Sequence, residues 1–336
     1  DSSGSADQDL QVLKAATYME YRQGYVKNIF GGCYGDYDYS DDGYGKRVEA
    51  NGRPYLKNAF VHICPVENPN DSILMVYGAG QGTDKYRPGD AMQDRSYVLI
   101  DIPQDLENFT DTTEVFGAGM NNGLGMRFTK AEAKANPDDA SAIVDLVQGQ
   151  IKAVYGASYN QGVTRRAVVN VPAKSTIQLH NIFGGAYGED PLYPCNVIEA
   201  QVNYRSEDAI VKHNIYGGNN NADRTFYGQV NIYAPVWQNK TQGYLATVYG
   251  GGYGVDSWSQ YTEVNLEDGA RVYEVYGGGE NGKVYNLETL EKWKEAVTDL
   301  DLSIGSDYVD EGLDDELARA VALNGRKYNT NVHIKQ

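Results

Sequence analysis

One short pattern of apolar and small residues recurs eight times along the chain and organises the rest of the sequence. Each copy has a β-branched residue, an aromatic residue, a glycine, and then a glycine or alanine, as in Val248-Tyr249-Gly250-Gly251. The aromatic residues of the eight copies are Phe30, Tyr77, Phe116, Tyr155, Phe183, Tyr216, Tyr249 and Tyr276. A β-branched residue beside an aromatic one favours a half-buried strand. Each copy therefore predicts a strand that ends in a glycine-rich corner.

The small residues after the aromatic indicate a fixed backbone shape. A glycine at the next position in every copy indicates either a positive φ or a backbone too crowded for a Cβ. The fifth position after the aromatic is always glycine or asparagine, which best tolerate the left-handed conformation. These residues are Gly35, Gly82, Asn121, Asn160, Gly188, Asn221, Gly254 and Asn281. One corner repeated at intervals of 27 to 47 residues is typical of a solenoid that adds one coil per repeat.

A second, weaker strand pattern of the form apolar-polar-apolar recurs between the corners. It occurs at Val61-His62-Ile63, Val98-Leu99-Ile100, Val169-Asn170-Val171, Val202-Asn203-Tyr204, Val230-Asn231-Ile232, Val264-Asn265-Leu266 and Val332-His333-Ile334. Together the two patterns predict an all-β fold, a single-stranded parallel β-helix solenoid of about eight coils over residues 25–336. The alternative is a β-propeller, but its blades have four strands, and the most closely spaced copies are too short for that.

Three segments depart from the repeat. Leu10, Val12, Leu13, Ala16 and Met19 have a spacing nearer to a helix than to a strand, so residues 1–24 are predicted to form an N-terminal tether and cap. Helical inserts are predicted at 129–149 and 287–324. The apolar residues of the first are Ile143, Val144 and Val147, and those of the second include Leu287, Leu290, Trp293, Val297, Leu313, Leu317, Val321 and Leu323.

Composition narrows the classes of partner. The net charge of −17 argues against binding to nucleic acid or to anionic membranes, because both require a basic surface. No apolar run approaches the roughly 20 residues that a membrane-spanning helix needs. The three cysteines, Cys33, Cys64 and Cys195, show no CxxC spacing, which argues against a zinc site.

Aspartates recur seven residues after the aromatic and suggest a metal site. They are Asp84, Asp190, Asp223 and Asp256. Carboxylates stacked in neighbouring coils repel one another unless they are protonated or bridged by a cation, so this column is a candidate calcium site. The alternative is that each aspartate ends a turn by a hydrogen bond to its own backbone.

Tyrosines recur four residues after the aromatic and suggest a binding flank. They are Tyr34, Tyr159, Tyr187 and Tyr253, with Trp258 close in sequence. Sugar rings stack on aromatic faces while carboxylates accept hydrogen bonds from sugar hydroxyls, so the flank is a candidate glycan site. The alternative is that the rings stack along the solenoid and cover the glycine backbone. His180 and His213 share another column, but a two-histidine metal site needs further ligands.

The Val-Tyr-Gly-Gly-Gly corner at 248–252 and 275–279 resembles the glycine-rich repeats of β-helical surface proteins of Bacteroidetes. The resemblance extends over about residues 25 to 285. It implies a secreted or lipid-anchored protein at the outer surface. The small, polar and acidic residues 1–9 are similar to the tether of a bacterial lipoprotein, and the alternative is an ordinary frayed terminus. It implies no catalytic residues.

These observations favour a non-enzymatic surface protein that presents a Tyr/Asp-rich flank to a glycan or a protein partner. One alternative is a polysaccharide lyase or glycoside hydrolase of the β-helix type, although no acid–base pair stands out in the sequence. The other is a structural subunit whose C-terminal coil stacks on a partner chain by strand addition.

Overall fold

The computed structural model describes residues 16–35, 55–66, 72–82, 92–103, 112–125, 141–189, 195–284 and 330–335, which contain strands and turns and no helix. The strands are β1 (Thr17–Tyr21), β2 (Tyr25–Phe30), β3 (Tyr55–Ile63), β4 (Ser72–Tyr77), β5 (Met92–Asp101), β6 (Glu114–Phe116), β7 (Ser141–Gln148), β8 (Ala153–Tyr155), β9 (Gly162–Val171), β10 (Gln178–Leu179), β11 (Asn181–Phe183), β12 (Cys195–Tyr204), β13 (Ile210–Val211), β14 (Asn214–Tyr216), β15 (Arg224–Ile232), β16 (Trp237–Asn239), β17 (Tyr244–Leu245), β18 (Thr247–Tyr249), β19 (Trp258–Leu266), β20 (Val275–Tyr276), β21 (Lys283–Val284) and β22 (Thr330–Ile334).

The longest strands form one sheet, which we call the long sheet. Its order is β1-β3-β5-β7-β9-β12-β15-β19-β21, and β22 also pairs with β19. All its pairings are parallel. The recurring apolar-polar-apolar triplets lie in register, so that Val169 pairs with Val202 and Val202 with Val230. The second strand pattern of the sequence is therefore confirmed.

The strands before the glycine corners form a second sheet, which we call the corner sheet. Its order is β2-β4-β6-β8-β11-β14-β18-β20, and every pairing is parallel. The eight repeated aromatic residues pair in register from Phe30 to Tyr276. A short third sheet has the order β10-β13-β16-β17, with only the β16–β17 pair antiparallel.

The chain alternates between the sheets, and each strand pairs with the next strand along the chain in its own sheet. This path, with long parallel sheets, is compatible with a parallel β-helix. The described strands form neither a closed barrel nor a propeller, whose blades would be antiparallel.

The core lies between the sheets. The β-branched residue before each aromatic points into it, as Val76, Val154 and Val248 do from the corner sheet. The long sheet contributes inward-facing residues such as Val169 and Val230. Alternate residues of a strand point to opposite faces, so the aromatic side chains lie on the outer face of the corner sheet.

Crowding, and not an unusual φ, explains the glycine after each aromatic. None of these eight glycines has a positive φ. A Cβ on Gly117 would lie 2.2 Å from the carbonyl oxygen of Gly156, and six others would approach the next corner's carbonyl oxygen within 2.8 Å. The fifth position is left-handed at all four asparagines, for example at φ 67° in Asn160, and at Gly254, but not at Gly35, Gly82 or Gly188.

Two segments that the sequence predicts to be helical contain strands in the part of each segment that the structure describes. Residues 141–148, including Ile143, Val144 and Val147, form β7, which pairs with β5 and β9. The segment predicted as part of a helical N-terminal cap contains β1, which pairs with β3, so the sheet begins before the predicted boundary at residue 25. In both cases a neighbouring parallel strand supplies backbone hydrogen bonds that a weak helical spacing cannot outweigh. Residues 129–140 and the insert at 287–324 lie outside the described residues.

Two short strands of the long sheet, β21 and β22, pair with the same neighbour, β19. β21 pairs with the start of β19, at Trp258 and Ser259. β22 pairs with the end of the same strand, from Thr262 to Leu266. The two short strands therefore occupy one rung that is continuous in β19.

Candidate functional site

The eight repeated aromatic residues form one continuous column of stacked rings, which we call the ring stack. Neighbouring ring centroids lie 4.6 to 5.1 Å apart, with interplanar angles of 4° to 16°. The in-register pairing of the corner sheet sets this spacing, because each ring sits above its partner in the next strand. Stacked pairs of this kind stabilise a fold by about 0.5–1.5 kcal/mol each beyond their burial.

Exposure of the ring stack changes along its length. Tyr77 and Phe116 are fully buried, whereas Tyr276 at the C-terminal end is 45% exposed. The buried part has a second layer of rings over it. Tyr159 packs edge-on against Phe116 at 5.4 Å, and Tyr187 lies 5.3 Å from Tyr155.

The four predicted tyrosines lie in one ladder of parallel bridges, but their environments differ. The ladder runs through Tyr34, Gln81, Met120, Tyr159, Tyr187, Asn220 and Tyr253. Tyr159 and Tyr187 are adjacent, with ring centroids 5.7 Å apart, and they cover the ring stack. Tyr34 and Tyr253 are exposed at opposite ends. Tyr253 packs edge-on against Tyr216 at 5.9 Å.

Trp258 is not part of this flank, because it begins β19 in the long sheet. Its indole Nε1 donates a hydrogen bond to Asp223 Oδ1 at 2.7 Å, and the guanidinium of Arg224 lies 4.8 Å from the ring centroid. Asp223 therefore holds a tryptophan side chain in place.

The predicted calcium column is only partly described. Asp84 and Asp190 lie outside the described residues, and Asp256 is exposed. Among the described residues, the one group of three or more potential metal ligands does not include Asp223 or Asp256. Calcium binding by this column stays a prediction.

Two glutamates that the sequence reasoning missed lie at the exposed end of the ring stack. Tyr216 donates its hydroxyl hydrogen bond to Glu280 Oε2 at 2.6 Å, and Asn214 Nδ2 donates to the same oxygen at 3.2 Å. Tyr276 donates to Glu274 Oε2 at 2.8 Å. Glu280 is the one carboxylate in the column in which four other copies have tyrosine. A search for exceptions within each column would have found it.

Burial and the nearby carboxylates hold these tyrosine hydroxyls in the protonated form. Burial, with a further contribution from Glu280, raises the pKa of Tyr249 to about 12. Burial and the hydrogen bond to Glu280 raise the pKa of Tyr216 far above its usual value. The hydrogen bond to Glu274 raises the pKa of Tyr276. At neutral pH the hydroxyls therefore act as donors to the carboxylates.

We call this end of the corner sheet the C-terminal flank. It consists of Asn214, Tyr216, Tyr249, Tyr253, Glu274, Tyr276 and Glu280. It combines exposed aromatic faces with two carboxylates on a rigid parallel sheet.

Two other columns have the neighbours that the sequence indicated. The rings of His180 and His213 lie 5.1 Å apart, and burial, with the nearby His180, lowers the pKa of His213. On the long sheet, Asn203 Nδ2 donates to Asn170 Oδ1 at 2.9 Å and Asn231 Nδ2 donates to Asn203 Oδ1 at 2.9 Å. This amide ladder links neighbouring strands and is structural.

Comparison of the chain with protein-family models, with curated proteins and with solved structures gives no match. The described part of the chain contains no helix with the length and apolar character that a membrane crossing requires.

Proposed function

We propose that the chain is a single-stranded parallel β-helix of about eight coils that acts as a non-enzymatic binding or adhesion protein, with a glycan bound at the C-terminal flank. The observation that carries this proposal is the exposure of Tyr253 and Tyr276, at 36% and 45%, beside the carboxylates of Glu274 and Glu280.

The chemistry of the C-terminal flank suits a sugar. A tyrosine ring offers an apolar face to the C–H face of a pyranose and a polar tip to its hydroxyls. An ionised carboxylate accepts about four hydrogen bonds. Glu280 already accepts hydrogen bonds from Tyr216 and Asn214. These two donors fix the position of the carboxylate, and its remaining lone pairs can accept hydrogen bonds from ligand hydroxyls.

Charge favours a neutral glycan over an acidic one. The chain has a net charge of −17, and both carboxylates of the C-terminal flank would repel uronate or sulfate groups. We therefore propose a neutral polysaccharide as the ligand. We also propose an extracellular or outer-membrane location, supported by the resemblance of the Val-Tyr-Gly-Gly-Gly corners to those of surface proteins.

The experiment is affinity electrophoresis on a panel of neutral and acidic polysaccharides, with calcium or with a chelator. The wild-type protein should be retarded by a neutral polysaccharide, and Tyr253→Ala and Tyr276→Ala should each lose retardation. Tyr244→Ala is the matched control, because Tyr244 is an exposed tyrosine in the short sheet. If the wild-type protein is retarded in the presence of calcium but not in the presence of the chelator, calcium has a role in binding.

The same incubations decide between a binding protein and an enzyme. Retardation without released oligosaccharide supports the proposal, whereas released oligosaccharide favours a lyase or hydrolase and overturns the non-enzymatic assignment. No retardation, or equal retardation of Tyr244→Ala and Tyr253→Ala, contradicts binding at the C-terminal flank.

A second candidate function, a subunit of a surface assembly, is favoured by exposed core positions in β22. Val332 and Ile334 pair with Val264 and Leu266, which are buried. Val332 is nevertheless 38% exposed and Ile334 is 69% exposed. A second chain that added a strand beside β22 would cover them.

Sedimentation velocity tests this second candidate. An assembly subunit should associate in the wild-type form and become monomeric as Ile334→Asp. Val255→Asp is the control, because Val255 is an exposed valine in a corner loop. A wild-type protein that remains monomeric over the accessible concentration range would contradict the assembly function.

A further inference from the structure

A glutamate, a histidine and a cysteine meet on the outer face of the long sheet near its N-terminal end. Glu20 in β1 pairs directly with His62 in β3. Cys64 lies two residues beyond His62, and its backbone N–H donates to the carbonyl of Tyr21 at 3.0 Å, which continues the strand pairing. Because alternate residues share a face, His62 and Cys64 project to the same side. One ligand atom from each of the three lies within 4.8 Å of the others.

A fourth donor lies next to them. Asp101, at the end of β5, has Oδ2 at 3.9 Å from His62 Nε2. Its other carboxylate oxygen, Oδ1, accepts a hydrogen bond from Gln148 Nε2 at 2.7 Å. Gln148 therefore orients Asp101 with one oxygen towards the histidine, as outer hydrogen-bond partners orient ligands in metal sites.

Three further polar contacts surround this group. Arg22 forms an ion pair with Glu20. The hydroxyl of Tyr18 lies 3.5 Å from His62 Nδ1, and Cys64 Sγ donates to Glu20 Oε1 at 3.5 Å. His62 Nε2 is buried and has no hydrogen-bond partner among the described residues. That nitrogen is therefore available as a ligand, and Tyr18 can orient the ring through the other nitrogen.

The sulfur, nitrogen and oxygen ligand atoms of this group indicate which metal ion it would bind. A thiolate, an imidazole and one or two carboxylates are the ligands of four-coordinate zinc sites. Calcium and magnesium prefer oxygen ligands alone, so a site with sulfur and nitrogen disfavours them. We propose that Glu20, His62 and Cys64, with Asp101 as the fourth ligand, bind a divalent cation of the zinc class.

A cysteine binds zinc as the thiolate, so binding of the ion at this cluster displaces the proton of the Cys64 thiol. Arg22 is 65% exposed along its side chain, so it can turn into solvent when the ion takes its place beside Glu20.

The site joins three strands of the long sheet. Glu20 belongs to β1, His62 and Cys64 to β3 and its continuation, and Asp101 to β5. Among the described strands, β1 is the end strand of the sheet and pairs with β3 alone. A bound ion would therefore fasten the end strand to the sheet, and amide hydrogen exchange in Thr17–Tyr21 should slow when zinc is added.

The spacing between cysteines, which disfavours a zinc site of the CxxC type, says nothing about a site with mixed ligands. The ligands instead come from strands that are far apart in sequence. The His-x-Cys pair at 62–64 was the local signal. Its glutamate partner becomes evident only from the register of β1 with β3.

The experiment is a titration of the protein with Co²⁺, read by absorption spectroscopy. Thiolate ligation in a tetrahedral site gives a sulfur-to-cobalt charge-transfer band and intense d–d bands. The wild-type protein should show these bands at one equivalent, and Zn²⁺ should abolish them by displacing cobalt. Cys64→Ser should lose the charge-transfer band, His62→Ala should lose tetrahedral binding, and Asp101→Asn should weaken affinity on the order of 10-fold or more.

Cys33→Ser is the matched control, because Cys33 is a half-buried free cysteine in a corner and should leave the spectrum unchanged. Alkylation followed by mass spectrometry gives a second reading that does not depend on a variant: Zn²⁺ should protect Cys64 and leave Cys33 reactive. The proposal is overturned if no charge-transfer band forms, if the band persists in Cys64→Ser, or if zinc protects neither cysteine.

Discussion

The buried middle and the exposed end of the ring stack have the same geometry and different surroundings. Phe116 and Tyr155 stack at 4.8 Å and 9°, and Tyr249 and Tyr276 stack at 5.0 Å and 10°. The middle is covered by a second layer of tyrosines, whereas Tyr276 is 45% exposed beside Glu274. The stacking therefore belongs to the architecture. A binding function is supported only where the covering layer gives way to carboxylates and solvent.

The largest expected contrast comes from removing one ring in each region. Phe116→Ala should lower the free energy of unfolding by about 3–5 kcal/mol, because it leaves a cavity between two stacked rings. Tyr276→Ala removes a half-exposed ring that, among the described residues, stacks on Tyr249 alone and should cost only about 0.5–1.5 kcal/mol. Urea unfolding of both variants measures this difference. Equal losses would show that the two regions do not differ in structural role.

Substitutions of corner glycines should also distinguish the buried middle from the exposed end, with a smaller effect on the free energy of unfolding. Gly117→Ala should destabilise the fold by about 1–3 kcal/mol, because its Cβ would meet the carbonyl oxygen of Gly156 at 2.2 Å. Gly278→Ala at the exposed end would place its Cβ 3.7 Å from Val284 Cγ2, which is an ordinary contact, and should be tolerated. Thermal unfolding of the two variants is the measurement. A large loss in Gly278→Ala would refute the crowding argument.

The smallest effect concerns alkaline pH at the exposed end. The pKa of Tyr249 is raised to about 12 in the folded state, from about 10 in the unfolded chain. A raised pKa contributes stability that is complete below about pH 10 and is lost as the pH rises towards 12. Tyr249→Phe should therefore lose less stability than the wild-type protein between pH 10 and pH 12 in urea unfolding. Identical losses would mean that Tyr249 is not protected in this way.

The repeat could be predicted because its signal is local. A corner with no room for a Cβ requires glycine in every copy, and a position with positive φ favours asparagine or glycine. These local constraints make the repeat visible in the sequence. The predictions of a helix through Ile143 and Val147 and of a helical N-terminal cap were wrong because the local signal in these segments does not specify one secondary structure. A short apolar run fits either periodicity, and its environment decides: Val144 and Leu146 face the core between β5 and β9.

The exposure of each side chain in the site could not be predicted from the sequence. Tyr159 and Tyr253 hold the same column, yet one is buried and the other is 36% exposed. Their cover comes from neighbouring strands, which a single repeat does not specify. Glu20, His62 and Cys64 were missed for a related reason, because strand register brings them together across a long stretch of chain.

The most direct test of the account is tyrosine nitration, mapped by mass spectrometry, with and without the polysaccharide that the protein retains. Without ligand, Tyr253, Tyr276 and Tyr244 should react, and the buried Tyr77 and Tyr155 should not. Saturating polysaccharide should protect Tyr253 and Tyr276 and leave Tyr244 reactive. Unchanged nitration of Tyr253 and Tyr276 in the bound state, or protection of Tyr244 instead, would contradict a binding site at the exposed end of the ring stack.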